Sequence, residues 1–441
     1  MNISLLSHRG YRLCRNKIIL KAVAGIKLCS TDDSKSSYVD ETKTEEVIVG
    51  SKTLRKKLQH HVGARQFWLE NLDILSKINA KRASKQEDLI TRKMKDSVQE
   101  VIIPLGSNPA EHDKYLNFYG TVRFGKLLED MDTLAGWVGF KYFKGPSERA
   151  PFSLVTACVD KIDLKESLVE SNKDIKLKGF VSWAGKTSLE VTIHIDQQSK
   201  DGWKRLAEAV FVMVARSLKD GTAAVVNKIE AVDVEEKHYY ERGKVNKALR
   251  QKKLKESLFR MPPTAKERDV IHNMFLATLD PNKSTFHSRV KPKDTVWMED
   301  TQLKNIIICH PQSRNLYNKI FGGFLMREAF ELAWATATVF IKSRPTVISM
   351  DDITFRKPVE VGSLLYLSSQ IVFTKGKYLQ TRVHAEVLDP KTGHVDTTNI
   401  FHFHFTSEKD IKNVMPMSYG EYILYLDGRR HCPRHILDDD S

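Results

Sequence analysis

No stretch of this chain stays apolar for the roughly 18–20 residues that a helix needs to cross a bilayer. The run AVFVMVA at Ala209–Ala215 is only of strand length, so no integral membrane span is expected. Cysteine is scarce: Cys14, Cys29, Cys158, Cys309 and Cys432 are scattered, odd in number and include no Cys-x-x-Cys pair. That pattern argues for reduced thiols and against a disulfide scaffold or a zinc site. RNP-like aromatic motifs and zinc-finger spacings are missing too. The net charge of +15 is therefore not read as a nucleic-acid surface, because its basic residues are dispersed. The densest cluster, KALRQKKLKESLFR at Lys247–Arg260, precedes a Met-Pro-Pro break and reads as a solvated linker helix.

Acidic residues are absent from the N-terminus up to Asp32, while Arg9, Arg12, Arg15, Lys17, Lys21 and Lys27 precede it among serines and apolar residues. A basic, acid-free, interrupted apolar segment is the pattern of a mitochondrial import sequence, whereas a secretory signal wants an unbroken apolar core. The expected destination is the mitochondrion, in the matrix or at the inner membrane's surface. At 441 residues, 41% apolar and 28% charged, the chain has the make-up of two globular domains.

An internal duplication is visible. LNFYGTVRFGKLLEDMDTLAGW (Leu116–Trp137) aligns with RNLYNKIFGGFLMREAFELAWA (Arg314–Ala335) at a constant offset of 198. Asn117 meets Asn315, Tyr119 meets Tyr317, Gly125 meets Gly323, Leu128 meets Met326 and Leu134 meets Leu332. Further on, SWAGKTSLEV answers VFTKGKYLQT, with Gly185 meeting Gly376 at offset 191, and Phe211 and Met213 answer Phe401 and Phe403 at offset 190. Each copy predicts a loop, a helix of about twenty residues and several alternating strands. In the second copy these strands are TVISMDDITFRKPV, SLLYLSSQIVFT, YLQTRVHAEVL and TTNIFHFHFTS. The helix GGFLMREAFELAWATATVFIK is apolar nearly all round and should be buried. A buried helix wrapped by a curved antiparallel sheet is the hot-dog architecture, so the fold class is α+β, with tandem hot-dog domains forming an internal pseudo-dimer. The expected boundaries are 1–35 for the import sequence, 52–90 for a helical lead-in and 91–218 for the first domain. A linker follows over 235–288, the second domain over 289–408, and a surface-covering tail over 409–441.

Ten ordered segments carry a resemblance to a known family. They are TRKMKDS, TVRFGKLLEDMDTL, VDKIDL, VSWAGKTSLEV, FVMVAR, MPPTAKERDVIHNMF, VWMED, HPQSRNLYNKIFGGFLMREAFELAWATA, DDITFRKPVEVGSLLYLSSQ and YGEYILYLDGRRH, spanning roughly residues 90–431. The chain resembles the double hot-dog acyl-CoA thioesterases, in particular their long mitochondrial branch. The resemblance implies hydrolysis of fatty acyl-CoA to free fatty acid and coenzyme A, with no metal or redox cofactor. Assembly into a homo-oligomer, such as a trimer of two-domain chains, is implied as well.

Thioester hydrolysis needs a donor for the developing oxyanion and a group that activates water or attacks directly. In the family, one hot-dog unit supplies an asparagine and a helix N-terminus, and the other supplies an acid from its helix. Carried over, Asn315, Gly322 and Gly323 of the second copy face Asp132 of the first. Asp132 would be the general base or a nucleophile. Asn315 would orient the carbonyl or the water, and the Gly323 N–H, with Gly322, would hold the oxyanion. The mirror set has Asn117 and Phe124-Gly125, but Phe330 stands where the acid should be, so one active site per chain is expected. Glu331, one position on and about 100° round the helix, is the alternative acid. Glu129 and Asp130 read as solvated neighbours. His310 reads as a loop residue, and His402 and His404 as outward-facing strand residues without a metal-ligand partner at suitable spacing. By resemblance, Lys186, Arg356, Lys357, Gly376 and Lys377 would contact coenzyme A. Competing readings are a silent acyl-CoA-binding regulator and an enoyl-CoA hydratase.

Overall fold

The computed structural model describes residues 47–62, 85–143, 152–160, 162–164, 169–217, 221–283, 285–315, 319–351 and 353–437. The expected import sequence, residues 63–84 of the lead-in and Tyr317 lie outside the described residues. The helices that matter here are α1 (Ser51–Val62), α2 (Phe124–Phe143), α3 (Val234–Glu256), α4 (Ala265–Leu276), α5 (Gly322–Ile341) and α6 (Tyr419–His431). The main strands are β1 (Gln99–Ile103), β2 (Phe152–Val159), β3 (Ile175–Ala184), β4 (Ser188–Ser199) and β5 (Gly202–Ser217) in the first copy. The second copy has β6 (Leu303–Ile308), β7 (Thr346–Met350), β8 (Leu364–Lys375), β9 (Tyr378–Leu388) and β10 (Val395–Thr406).

Each copy is one sheet around one helix. The first sheet runs β1-β3-β4-β5-β2 and the second β6-β8-β9-β10-β7, with antiparallel neighbours throughout. The first also carries Ile48–Val49 as a parallel edge beside β1, a strand unforeseen from sequence. The two sheets exchange short strands. Ile353–Thr354 of the second copy pairs with β2, and Ile162–Asp163 of the first pairs with β7. Both sheets are thereby extended by the other copy, and the repeats form one continuous core.

Alternation sets the sheet faces. Phe401, Phe403 and Phe405 of β10 are fully buried beneath α5, as Val191, Ile193 and Ile195 of β4 are beneath α2. The two central helices pack directly on each other, and glycine allows the approach. A Cβ on Gly323 would stand 2.9 Å from Glu129 Cα, and one on Gly125 would stand 3.2 Å from the Arg327 carbonyl oxygen. Helix α2 is buried almost all round, as α1 packs on it from the far side. Helix α5, predicted to be equally enclosed, is buried along one face only, and Val339 is exposed.

The connections are structured. Asp233 caps α3 by accepting the Glu236 N–H, and Thr264 with Glu267 forms a capping box on α4. Helix α3 is no free linker. Gly243 abuts the Trp183 ring, and Arg250 bridges Asp160 and Glu190 of the first sheet. Helix α6, started by a Ser418–Glu421 capping box, lies on the outer face of the second sheet. The described end of the lead-in departs from the helix expected there: Gln86–Asp88 is a single 3-10 turn leading into extended chain.

Candidate active site

Helix α5 begins at Gly322 with Phe321 in the capping position, and no side chain of its own segment caps it. Its first N–H groups therefore need acceptors from elsewhere. Asp132, from the middle of α2, supplies one: its Oδ2 accepts the Gly323 N–H at 2.7 Å. Its other oxygen, Oδ1, accepts the Thr156 hydroxyl of β2 at 2.6 Å. Gly322 leaves room for this carboxylate, since a Cβ there would stand 3.2 Å from Asp132 Oδ2. Asp132 is 3% exposed. Burial raises its pKa, and Glu129 adds to that, while the Thr156 and Gly323 hydrogen bonds and Arg55 restrain it to about 6.

Glu129 and Asp130, read from sequence as solvated, are instead buried. Glu129 is held by Arg55 at 2.5 Å, Arg327 at 2.8 Å and Lys126 at 3.0 Å. Burial alone would raise its pKa, but these three cations bring it down to about 2. Asp130 accepts the Tyr115 hydroxyl and lies 3.3 Å from Lys126. The lysine at i−3 and i−4 to these acids was the available signal, because a paired carboxylate can be buried where a lone one cannot.

A cavity of about 790 Å³ opens around Asp132. Asn315, Gly322, Arg356 and Lys357 line it, with Arg314 and Lys319 adding positive charge. Four sequence-predicted groups from the second copy thus meet Asp132 of the first. Asn315 Oδ1 accepts the Lys319 N–H at 3.1 Å, so it also shapes its own loop. Apolar side chains line the rest, among them Leu58, Phe140, Leu154 and Met213. Lys186, Gly376 and Lys377 line neither this cavity nor the one described next. The first sits on the β3–β4 turn and the others on the β8–β9 turn, where Gly376 adopts φ +56°. His310 is exposed and lines neither cavity.

The mirror cavity is about 250 Å³ and is lined by Asn117, Phe124, Gly125, Phe330, Glu331 and Trp334. Phe330 fills the acid's place, with ring centroids 5.4 Å from Phe124 and 5.3 Å from Phe403. Glu331 pairs with Arg123. The side chain of Asn117 is occupied within its own loop by Thr121 and the Tyr119 N–H.

The sequence comparisons come to bear on this geometry. The model of the thioesterase superfamily matches residues 317–394. Acyl-coenzyme A thioesterase 9, mitochondrial, of Homo sapiens is 48% identical over 382 residues, covering 86% of this chain and 87% of that one. The chain belongs to the acyl-coenzyme A thioesterases. The Bos taurus protein of the same name is 45% identical, covering 92% of this chain and 95% of its own. Acyl-coenzyme A thioesterase 2, chloroplastic, of Humulus lupulus is 31% identical, covering 77% and 81%. Among solved structures, an acyl-CoA hydrolase from Staphylococcus aureus in complex with butyryl coenzyme A is 20% identical. It covers 33% of this chain and 94% of that one at a TM-score of 0.30, too low to carry an argument.

Sequence reasoning missed Thr156 and Gly136. Thr156 sits in the apolar strand FSLVTACV and belongs to no motif. Each copy has a β-bulge here, between Thr156 and Cys158 in β2 and between Val347 and Ser349 in β7, which sets Thr156 against Val347. Gly136 lies one turn beyond Asp132 on the cavity face of α2, where a Cβ would meet only Leu58 at 4.0 Å. At offset 198 its counterpart is Trp334. That signal was present in the aligned repeats.

Proposed function

We propose that this thioesterase hydrolyses fatty acyl-CoA in the mitochondrion, at one active site built from both copies. The observation that carries the reading is the Asp132 carboxylate, buried and hydrogen-bonded at 2.7 Å to the first turn of the other copy's helix, at the wall of the larger cavity. In this reading Thr156 and the Gly323 N–H hold the carboxylate, so the oxyanion role expected of the Gly323 N–H passes to its neighbour. The Gly322 N–H, which lines the cavity and makes no hydrogen bond among the described residues, takes the thioester oxygen. A base with a pKa near 6 is mostly ionised at neutral pH yet basic enough to assist proton transfer.

Asp132 takes a proton from water as the water oxygen attacks the carbonyl carbon, and negative charge develops on the oxygen facing Gly322. Collapse breaks the C–S bond, and the proton on Asp132 passes to the departing thiolate. Fatty acid and coenzyme A leave. Asn315 positions the carbonyl or the water from the opposite wall. Arg356 and Lys357, with Arg314 and Lys319, face the phosphates, while the acyl chain runs along α2 past Gly136 towards Phe140. Eight helical residues from Asp132 to Phe140 give that path a length of about 12 Å. Lys186, Gly376 and Lys377 stand on turns outside the lining of that cavity. The expected assembly is a homo-oligomer of two-domain chains.

Thiol release from a panel of short to long acyl-CoAs, wild type against Asp132→Asn, tests the reading. Release that collapses in the variant supports it. Full activity in the variant sinks the assignment of Asp132. Binding of acyl-CoA without thiol release by the wild type would make the chain a silent binder instead.

A further inference from the structure

The outer face of the second sheet carries a buried polar layer that the active site does not use. His402 points outward from β10 and should have met solvent, but α6 covers it and it is 6% exposed. Its Nε2 makes no hydrogen bond and lies 3.4 Å from Asp427 Oδ2 of α6. That separation is long for a hydrogen bond, whose usual range is about 2.7–3.2 Å. His431, one turn further along α6, has its Nε2 3.5 Å from Asp351 Oδ2, just beyond β7. Ligand atoms of His402, Asp427 and His431 all fall within 4.8 Å of one another.

The 3.4 Å from His402 to Asp427 and the 3.5 Å from His431 to Asp351 match spacings within a coordination shell. A tetrahedral zinc ion with bonds of about 2.0–2.2 Å sets its ligand atoms about 3.3–3.5 Å apart. The tautomer fits as well. Nδ1 of His431 lies 2.6 Å from the Asp427 carbonyl oxygen, which can only accept, so Nδ1 carries the hydrogen and Nε2 keeps its lone pair. A ligand histidine that donates its other N–H to a carbonyl is the usual second layer of a zinc site. The two imidazoles stack at 4.5 Å between centroids, which keeps both rings in the same layer. Further buried polar atoms in the layer make no hydrogen bond: Ser349 Oγ, Gln380 Oε1 and Nε2, and Arg382 Nε. Buried polar atoms in such a concentration call for a partner, and an ion or water would supply it.

We propose that His402, Asp427 and His431 form a zinc site that clasps α6 to the second sheet, with Asp351, 3.5 Å from His431, drawn in as the fourth ligand. Three of its ligands are separated in sequence by 25 residues or more, from Asp351 to His402 to Asp427, which is why no motif announced it. The role is structural. Once Asp351 closes in, all four positions are taken by protein, leaving none open for water, and none of the four residues lines either cavity. Arg382 and Lys253 also face the carboxylates and oppose a cation, so the affinity falls below that of a cysteine-rich site.

The test uses the full chain, stripped with a chelator and given Zn²⁺ alone. The expected result is one zinc per chain in competition with a chromogenic chelator, with the melting temperature rising by about 5 °C at saturating zinc. His431→Gln and Asp427→Asn should each lose both effects, while thiol release by the wild type should survive chelation. Absence of stoichiometric uptake overturns the proposal, as does uptake that both variants retain. Should the variants fold poorly, Co²⁺ substitution in the wild type decides. Intense visible absorption from a tetrahedral nitrogen–oxygen site supports the clasp, and a weak octahedral spectrum overturns it.

Discussion

The two cavities are copies of one design that diverged at three positions. Around the larger stand Asp132, Thr156 and Gly136; around the smaller, in the same order, stand Phe330, Val347 and Trp334. An acid, a hydroxyl that steadies it and an empty place beside it have each become an apolar side chain. Because the central helices cross through a near-twofold arrangement, with Gly125 and Gly323 as equivalent contacts, the two copies share one scaffold although the smaller cavity is filled. A polar group left in a disused pocket would lie buried without a partner. On the mirror side Phe330 instead joins an aromatic cluster with Phe124, Phe403 and Phe405, and Trp334 packs on Phe118 and Tyr119.

The sharpest way to break this comparison is to remove the acid on each side in turn. Asp132→Asn is expected to lower kcat by about 10³-fold, whereas Glu331→Gln, in the mirror cavity, should leave it within about twofold. Equal losses would mean that two sites work. Next comes the open position. Gly136→Trp, which copies the silent side, should cut kcat/KM for long acyl-CoAs by about 10–100-fold and spare short ones. An unchanged chain-length profile would remove the acyl path from α2.

Thr156→Val copies the third difference and should reduce kcat/KM by about tenfold. Its pH dependence is the better discriminator. The hydroxyl donates to the charged carboxylate, so its loss favours the protonated form and should shift the acidic limb of the profile upward from about 6. A limb that stays put would separate Thr156 from the base. The smallest effect is on stability. Asp132 is protonated more readily in the folded chain than in the unfolded one, so its stabilising share is present at low pH. It is lost as pH rises through about 6. The rise from the ordinary 3.8 to about 6 corresponds to at most about 3 kcal/mol against the buried charge. Asp132→Asn should therefore melt a few degrees higher than the wild type at pH 8, and by less at pH 4.5.

Much of this was legible in the sequence because duplication supplies its own control. The offset of 198 paired Gly125 with Gly323 and set Asp132 against Phe330, and the period-two pattern of Phe401, Phe403 and Phe405 placed the second sheet's inner face. What stayed hidden was made by contacts between distant segments. Thr156 lies in an apolar strand and acquires its meaning only where β2 passes α2. Glu129 looked solvated because Arg55 and Arg327, which let it be buried, come from α1 and α5. His402 and His404 alternate outward as predicted, yet neither meets water, because a helix some twenty residues further along the chain lies over them. Pattern gives the face of a strand; it does not give what covers that face.

The hydrogen bond from Gly323 to Asp132 joins residues 191 apart in the chain. A first copy emerging alone from a ribosome or an import pore carries the acid but lacks the donor from the second helix. It also lacks the Ile353–Thr354 strand that extends its sheet. Closing so long a loop is slow compared with forming either helix. Catalytic competence should be the last property this chain acquires, so that turnover itself reports that translation, transport and docking have all been completed.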